Sequence, residues 1–213
     1  MEINKERKAI DFQTWEKRWQ YSCHKDQLTI FGKMMFRAKK RCLKTILKDL
    51  TIKDVIEVGC GEGHILQVYK EMGLECIGID ISPNAVKICE AKGLNAKLGN
   101  VEDETATYDF VSSDGIFEHL LNFESVAVHL MRISKKYVLL IQPNHDSLVG
   151  KTAAYFAEIL RGHENVFEYN YRINDFIQIF KFHRFNLKLS IPVFYDVFRV
   201  LLFKKELNDF VQR

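Results

Sequence analysis

Val55-Ile56-Glu57-Val58-Gly59-Cys60-Gly61-Glu62-Gly63-His64-Ile65 is the stretch that decides how this chain folds. It opens with β-branched apolar residues, which suit a buried strand. It then breaks into three glycines at alternate positions. An apolar helical pattern follows at Ile65, Leu66, Val68, Tyr69 and Met72. A strand, a glycine turn and a helix in succession leave free backbone N–H groups at the helix start, where a polar or anionic ligand docks. Glycine supplies φ values that other residues resist, and it lets a ligand approach the backbone without a Cβ in the way. The spacing is G-x-G-x-G, not the G-x-G-x-x-G of dinucleotide sites. An acid, Glu57, precedes the first glycine by two residues. A carboxylate there repels a pyrophosphate and suits an ammonium or a sulfonium.

Downstream, Gly73 fits a helix C-cap. Leu74-Glu75-Cys76-Ile77-Gly78-Ile79-Asp80 reads as a second strand ending in an acid. Two strands joined by one helix form a parallel, right-handed β-α-β unit. That unit puts Asp80 at the carboxyl edge, beside the glycine loop. Ser82 caps the next helix and Pro83 opens it. At this point the chain resembles a known family, the class I S-adenosylmethionine-dependent methyltransferases of small-molecule type, whose first motif is an acid followed by G-x-G-x-G.

Composition agrees with one domain carrying additions. The chain has 213 residues, 47% of them hydrophobic and 12% aromatic, enough for a sizeable core. No apolar run reaches the length of a membrane span. The N-terminus is charged and lacks an apolar signal segment. The cysteines number five, Cys23, Cys42, Cys60, Cys76 and Cys89, and are never spaced as C-x-x-C. That argues against a disulfide framework or a zinc site and for a reducing cytoplasm. The net charge of +3 hides an asymmetry: residues 1–50 hold 13 Lys and Arg against 6 Asp and Glu, the remainder 18 against 22. The basic excess belongs to the N-terminal segment.

Upstream of the loop, Trp15 and Trp19 share a helix face, suited to packing on the domain or to a lid over a pocket. Asp26 to Leu50 is helical, with Phe31, Met35, Cys42, Leu43, Ile46, Leu47 and Leu50 on one face and Lys33, Arg37, Lys40, Arg41, Lys44 and Lys48 on the other. After Gly93 a third strand covers Asn95 to Leu98, and Gly99-Asn100-Val101-Glu102-Asp103 follows. Tyr108 to Ser113 is a fourth strand, leaving through Asp114-Gly115 into Ile116-Phe117-Glu118-His119-Leu120-Leu121. A helix over Glu124–Ile133 leads to a fifth strand, Tyr137 to Gln142, ended by Pro143-Asn144-His145-Asp146. Gly150 to Leu160 reads as an extra amphipathic helix, and His163 to Tyr169 as an aromatic, polar loop. A helix over Ile173–Phe182 precedes two strands, Phe185–Val193 and Val197–Phe203, joined as a hairpin.

The resemblance covers about residues 40 to 206. It implies an α/β fold: a Rossmann-like, doubly wound seven-stranded sheet, mostly parallel with its last strand antiparallel, with helices on both faces and an N-terminal helical extension. Residues 1–50 are then a cap or lid segment. Residues 51–213 form the domain that binds S-adenosylmethionine (SAM), with a substrate-side insertion at about 146–171. The resemblance assigns donor binding to Arg37, Glu57, Gly59, Cys60, Gly61, Gly63, Asp80, Ile81, Asn100, Val101, Glu102 and Ser113. Arg37 would meet the SAM carboxylate. Asp80 would accept from the ribose hydroxyls, the 100–102 loop would edge the adenine, and the Ser113 carbonyl would take the methionine ammonium. His119 and His145 are the candidate bases, and no metal site is implied.

The implied reaction is methyl transfer from SAM to a nucleophile on a small molecule, with S-adenosylhomocysteine (SAH) as the product. Amine methylases of nucleic-acid bases carry Asp or Asn followed by Pro-Pro-aromatic after the fourth strand, and this chain has Ser113-Asp114-Gly115-Ile116 there. Cytosine-carbon methylases use a Pro-Cys nucleophile, and no cysteine follows a proline here, which favours a small molecule over nucleic acid. The second reading is an RNA or other nucleic-acid methyltransferase using the basic helix, with salt-sensitive binding. The third is a non-catalytic SAM-binding partner subunit. A nicotinamide dehydrogenase is disfavoured by the glycine spacing and Glu57.

Overall fold

In the computed structural model the described residues are Glu16, Trp19, 30–161 and 168–206. Trp15, residues 26–29 and most of the loop from His163 lie outside them. The elements are α1 (Ile30–Lys48), β1 (Asp54–Val58), α2 (His64–Glu71), β2 (Glu75–Asp80), α3 (Pro83–Ala91), β3 (Ala96–Leu98) and β4 (Tyr108–Asp114). There follow α4 (Phe123–Ile133), β5 (Ser134–Pro143), α5 (Leu148–Arg161), α6 (Ile173–Phe182), β6 (Phe185–Val193) and β7 (Phe198–Lys205).

The strands form one seven-stranded sheet in the order β3-β2-β1-β4-β5-β7-β6. Strands β1 to β5 pair in parallel, and β7 runs antiparallel to both of its neighbours. This is the expected Rossmann-like sheet with its last strand reversed. Pro192 sits on β6, which is an edge strand and so tolerates a missing N–H.

Side chains alternate between the two faces along each strand. Ile56, Val111, Val138, Leu140, Leu201 and Phe203 meet Leu130 of α4 and Phe176 and Phe180 of α6. The alternate set, Val55, Phe110, Leu139, Ile141, Val200 and Leu202, meets α2 through Leu66 and Tyr69, α3 through Cys89, and α1 through Leu43, Ile46 and Leu47. So the C-terminal half of α1 forms part of the second layer. Its N-terminal half departs from the expected apolar stripe: Phe31 is 54% exposed.

The helix ends follow from local chemistry. Ser82 Oγ accepts from Ala85 N at 3.2 Å, with Pro83 in the first turn of α3. Gly73 and Gly93, with φ of 74° and 68°, end α2 and α3 in the left-handed conformation. Parallel pairing brings the exits of β1, β2 and β4 to one edge, where an open α/β sheet binds its ligands.

Candidate functional site

At that carboxyl edge lies a cavity of about 1560 Å³. Its floor is the loop that opens the sequence. Gly59, Gly61 and Gly63 all have positive φ, at 68°, 49° and 76°. A Cβ on Gly59 would lie 2.0 Å from Ile116 Cδ1, and one on Gly61 would lie 2.7 Å from the Trp19 ring. The glycines are therefore needed for conformation and for space together. Gly59 N donates to Ile79 O at 2.8 Å, tying the loop to β2.

Asp80 is 8% exposed and holds two backbone donors, Gly61 N at 2.8 Å and Ser82 N at 2.9 Å, one on each carboxylate oxygen. It lines the cavity with Ile81. Burial raises its pKa despite those bonds. Each oxygen keeps a second lone pair for a ligand hydroxyl.

Glu57 lines the cavity and is 2% exposed, and its Oε2 has no hydrogen-bond partner among the described residues. Burial, then the charge of Asp114, holds its pKa well above the usual carboxylate range. Such an acid becomes an anion readily only when a cation arrives beside it. Cys60 also lines the cavity, and its Sγ lies 4.0 Å from Cys89 Sγ; that contact and burial push its pKa up, so it holds its proton.

Asn100, Val101 and Glu102 border the same end of the cavity. Asn100 Oδ1 already accepts from Glu102 N at 3.1 Å, as a helix cap. Of the residues expected to bind the donor, Glu57, Gly59, Cys60, Gly61, Asp80, Ile81, Asn100, Val101 and Glu102 all line the cavity, and Gly63 is the N-cap of α2.

Two sequence expectations, Arg37 and His145, differ from the structure. Arg37 is exposed on α1 and does not line the cavity, whereas Lys39 does. Two residues turn a helix by about 200°, so the two side chains leave on opposite sides. Lys39 Nζ pairs with Asp114 at 2.7 Å and sits 4.0 Å above the Phe198 ring. The Ser113 side chain is 1% exposed, with Oγ unpartnered among the described residues, and the cavity wall begins with the next two residues, Asp114 and Gly115; the role expected of Ser113 is its backbone carbonyl's, which the side chain does not decide. His145 does not reach the cavity either; burial lowers its pKa and its Nε2 has no partner among the described residues.

His119 does line the cavity, at 8% exposure, beside Glu118, which was not among the candidate site residues. Phe117 of the same short turn is fully buried against Phe123 and Phe176, at ring separations of 6.0 and 5.9 Å. That anchor leaves Glu118 and His119 on the cavity side, with Glu118 Oε1 4.0 Å from His119 Nε2. Tyr169 N donates to Glu118 O at 2.5 Å, and the Tyr171 hydroxyl donates to Leu120 O at 2.8 Å. These bonds hold the turn and bring Glu168 to the cavity wall. Glu118 is 6% exposed, and burial pushes its pKa up to about 8. Its position beside His119 in the Glu-His-Leu turn was the signal in the sequence.

The basic stripe of α1 is partly neutralised within the fold. Lys40 and Lys44 both pair with Glu71 of α2, at 2.7 and 3.0 Å. Among the described residues there is no cluster of three metal-ligating side chains, and no helix is long and apolar enough to cross a membrane.

The comparisons with known proteins agree with this geometry. The chain is 30% identical over 94 residues to norajmaline N-methyltransferase of Rauvolfia serpentina, covering 38% of this chain and 32% of that one. It is 27% identical over 128 residues to a ubiquinone biosynthesis O-methyltransferase of Xanthomonas oryzae pv. oryzae, covering 55% and 52%. The chain spans about a third to a half of the length of these curated relatives. Its fold is that of the SAM-bound magnesium protoporphyrin IX methyltransferase from Synechocystis PCC 6803, with a TM-score of 0.70 at 14% identity, covering 97% of this chain and 100% of that one. A family model described as a methyltransferase domain matches residues 31–184, well over half of the chain. With that match, and with an acid, a G-x-G-x-G turn and Asp80 around one cavity, the chain belongs to the class I S-adenosylmethionine-dependent methyltransferase family.

Proposed function

We propose that this protein moves a methyl group from SAM to a nucleophile on a small molecule. The observation that carries the reading is the shared wall of Glu57, the glycine loop and Asp80, with an orphaned carboxylate oxygen on Glu57. The wall suits SAM on chemical grounds. Asp80 has lone pairs left for two ribose hydroxyls. The glycine turn admits close backbone approach, and Glu57 matches a cationic methionine end. When bound, SAM supplies a methyl on a sulfonium, already activated for transfer to a lone pair.

The protein's own work is then alignment and exclusion of water, and alignment alone lowers a barrier by about 7–11 kcal/mol. Glu102 and Val101 edge the adenine, and Asn100 shapes that loop as its cap. The Ser113 carbonyl and Gly115 stand at the methionine end, and Lys39 replaces Arg37 as the nearby cation. Of the two candidate bases, His119 is the one that lines the cavity, which supports it over His145.

The domain organisation belongs to the same proposal: a cap in residues 1–50, a donor domain in 51–213 and an acceptor-side insertion at about 146–171. Two contacts support a cap. Trp19 lies over Gly61, and Glu16 accepts from Ser82 Oγ at 2.5 Å, beside Asp80. The compartment proposed is the cytoplasm, which the free thiols of Cys42, Cys60, Cys76 and Cys89 suit. The small-molecule relatives, an N- and an O-methyltransferase by name, support a small acceptor.

The test is calorimetric titration with SAM and SAH, with NAD as the control and Asp80→Ala alongside. The expected result is micromolar binding of the first two and none of NAD. Each lost charge-assisted bond costs about 1.5–3 kcal/mol, so Asp80→Ala should weaken binding by at least about tenfold. Undiminished SAH binding in Asp80→Ala would remove the central contact of this reading.

A further inference from the structure

The cavity is much larger than its glycine-loop wall requires, and its charge is one-sided. Among the described residues lining it there are seven carboxyl groups, of which burial holds Glu57 and Glu118 toward the neutral acid, two histidines and one lysine. The lysine, Lys39, is already paired with Asp114. Glu57, Glu62, Asp80 and Glu102 belong to the donor wall. Asp114, Glu118 and Glu168 belong to the part bounded by the exit of β4, by α5 and by the β6–β7 turn. There Phe31 and Phe194 meet edge to face at 4.8 Å, and Tyr195 and Leu121 stand exposed at 80% and 65% at the rim. The Phe194-Tyr195-Asp196 turn has positive φ at all three residues, 51°, 56° and 66°. Arg199 on Asp196 at 2.6 Å and Ser147 Oγ on Asp196 O at 2.8 Å hold it. Backbone strain of this kind persists only where the surroundings enforce it, and here it presents two aromatic rings to the cavity.

Within this half, Glu118 is the group the donor leaves unused. It is more than nine-tenths buried, it lines the cavity, and its Oε2 has no partner among the described residues. A Cβ built on Gly115 would lie 3.2 Å from its Oε1, so glycine keeps that side of the carboxyl open. The charged groups acting on it are Glu168, Asp114 and Lys39, with His119 at 4.0 Å. An anionic acceptor, such as a carboxylate or a phenolate, meets two further acids there. A neutral alcohol leaves the buried oxygen with a weak partner. A cation satisfies it.

We infer that the acceptor is an amine with an apolar or aromatic body, whose cationic nitrogen pairs with Glu118 while its body lies against Phe31, Phe194 and Tyr195. This inference rests on the methyl-transfer reading and names the substrate class for it. Glu118 has a second use on the same geometry. An ammonium has no free lone pair and cannot be methylated. Transfer of its N–H proton to the Glu118 carboxylate leaves a neutral amine and a neutral carboxylic acid. Glu118 releases its own proton to solvent as the ammonium enters and pairs with it, and the burial that raises its pKa to about 8 in the empty site favours its taking a proton back from the ammonium before methyl transfer.

The test uses the full chain saturated with SAH and two matched probe sets. One is tryptamine, tryptophol and indole-3-propionate; the other is 2-phenylethylamine, 2-phenylethanol and 3-phenylpropionate. Affinity is read by calorimetry for the natural protein and for Glu118→Gln, and SAH affinity is measured for both. The expected result is that each amine binds at least about tenfold tighter than its alcohol, with the acid weakest. Glu118→Gln should erase the preference while its SAH affinity stays within about threefold, since Glu118 is outside the donor wall. The inference is overturned if the preference survives in Glu118→Gln, if an alcohol or acid matches its amine, or if neither amine binds at millimolar concentration. Absence of SAH binding by the natural protein overturns the methyl-transfer reading itself, and this inference with it. Any retained SAH binding separates the two failures.

Discussion

Replacing Glu118 by Gln should invert the sign of its effect on stability between acid and alkaline pH. Glu118 is 6% exposed, and its carboxyl is pushed from 4.5 up to about 8 by burial. In the unfolded chain it ionises near its ordinary value. Below pH 4.5 both states are protonated and the group costs nothing. Between the two values the unfolded state releases the proton and the folded state keeps it. Stability therefore falls as pH rises, at about 1.4 kcal/mol per pH unit, and the loss is complete above the folded value. Over that interval the loss amounts to about 5 kcal/mol.

The amide cannot titrate, so the variant escapes this loss. It instead buries an –NH2 where Oε2 had no partner, at a cost of about 1–3 kcal/mol at every pH. The variant should be the less stable protein at pH 4.5 and the more stable at pH 9. The assay is reversible urea unfolding of both proteins, followed by far-ultraviolet circular dichroism across that range. Other carboxyls with shifted pKa, Glu57 and Asp80 upward and Asp109 and Glu104 downward, are common to both proteins and cancel in the difference. A stability difference that stays flat with pH would refute the account of Glu118 as a buried, neutral acid.

Two further substitutions separate backbone conformation from packing. Gly73→Ala and Gly63→Ala both force a side chain into positive φ, 74° and 76°, costing about 1–2 kcal/mol each. Only at Gly63 does the new Cβ meet core atoms, Leu94 Cδ1 at 2.4 Å and Cys89 Sγ at 2.9 Å, which adds about 1–3 kcal/mol. Equal urea midpoints for the two variants would contradict that packing. Phe180→Ala removes a fully buried ring stacked on Phe203 at 4.1 Å. It should cost about 3–5 kcal/mol, yet leave SAH affinity intact below the unfolding range, because that core layer is away from the donor wall. A large loss of SAH affinity at equal folded fraction would show that the layer shapes the site.

The sheet was legible because each step of it is written locally. Glycines end helices at 73 and 93, Ser82-Pro83 starts one, and β-branched runs alternate between them. Asp80 was legible for a topological reason: a right-handed β-α-β unit leaves the end of β2 nowhere but beside the loop. What failed was side-chain direction at single-residue resolution. Periodicity separates the apolar from the charged face of α1. It does not say which cation at the boundary turns inward, and Lys39 rather than Arg37 does. On β4 the expected strand ended at Ser113 and the observed one runs on to Asp114; alternation along it buries the Ser113 side chain and puts Asp114 on the cavity, and leaves the Ser113 carbonyl role untouched. His145 was selected for its residue type in a turn after β5, and a turn gives no period from which to read direction. Glu118 was passed over because a carboxylate in a helix-start turn is ordinarily solvated. Its burial comes from Phe117 on one side and from residues 168–171 on the other, about fifty positions along the chain.

The same acids that mark the site weaken the empty protein. Glu57, Asp80 and Glu118 all have pKa values raised by burial, so at neutral pH each lowers the stability of the unliganded fold relative to an apolar or solvated residue. Asp80 also holds the glycine loop through Gly61 N and Ser82 N, whereas Glu57 and Glu118 each keep one buried oxygen without a partner among the described residues. A cation bound beside a buried carboxylate offsets its desolvation, and a hydroxyl on Asp80 does so in part. Ligand binding therefore stabilises this fold twice: by its own contacts, and by relieving groups that the empty cavity holds out of water. On the acceptor side that relief is available from an ammonium and not from a carboxylate. The charge of the cavity thus favours one class of acceptor by the same electrostatics that make the empty site costly.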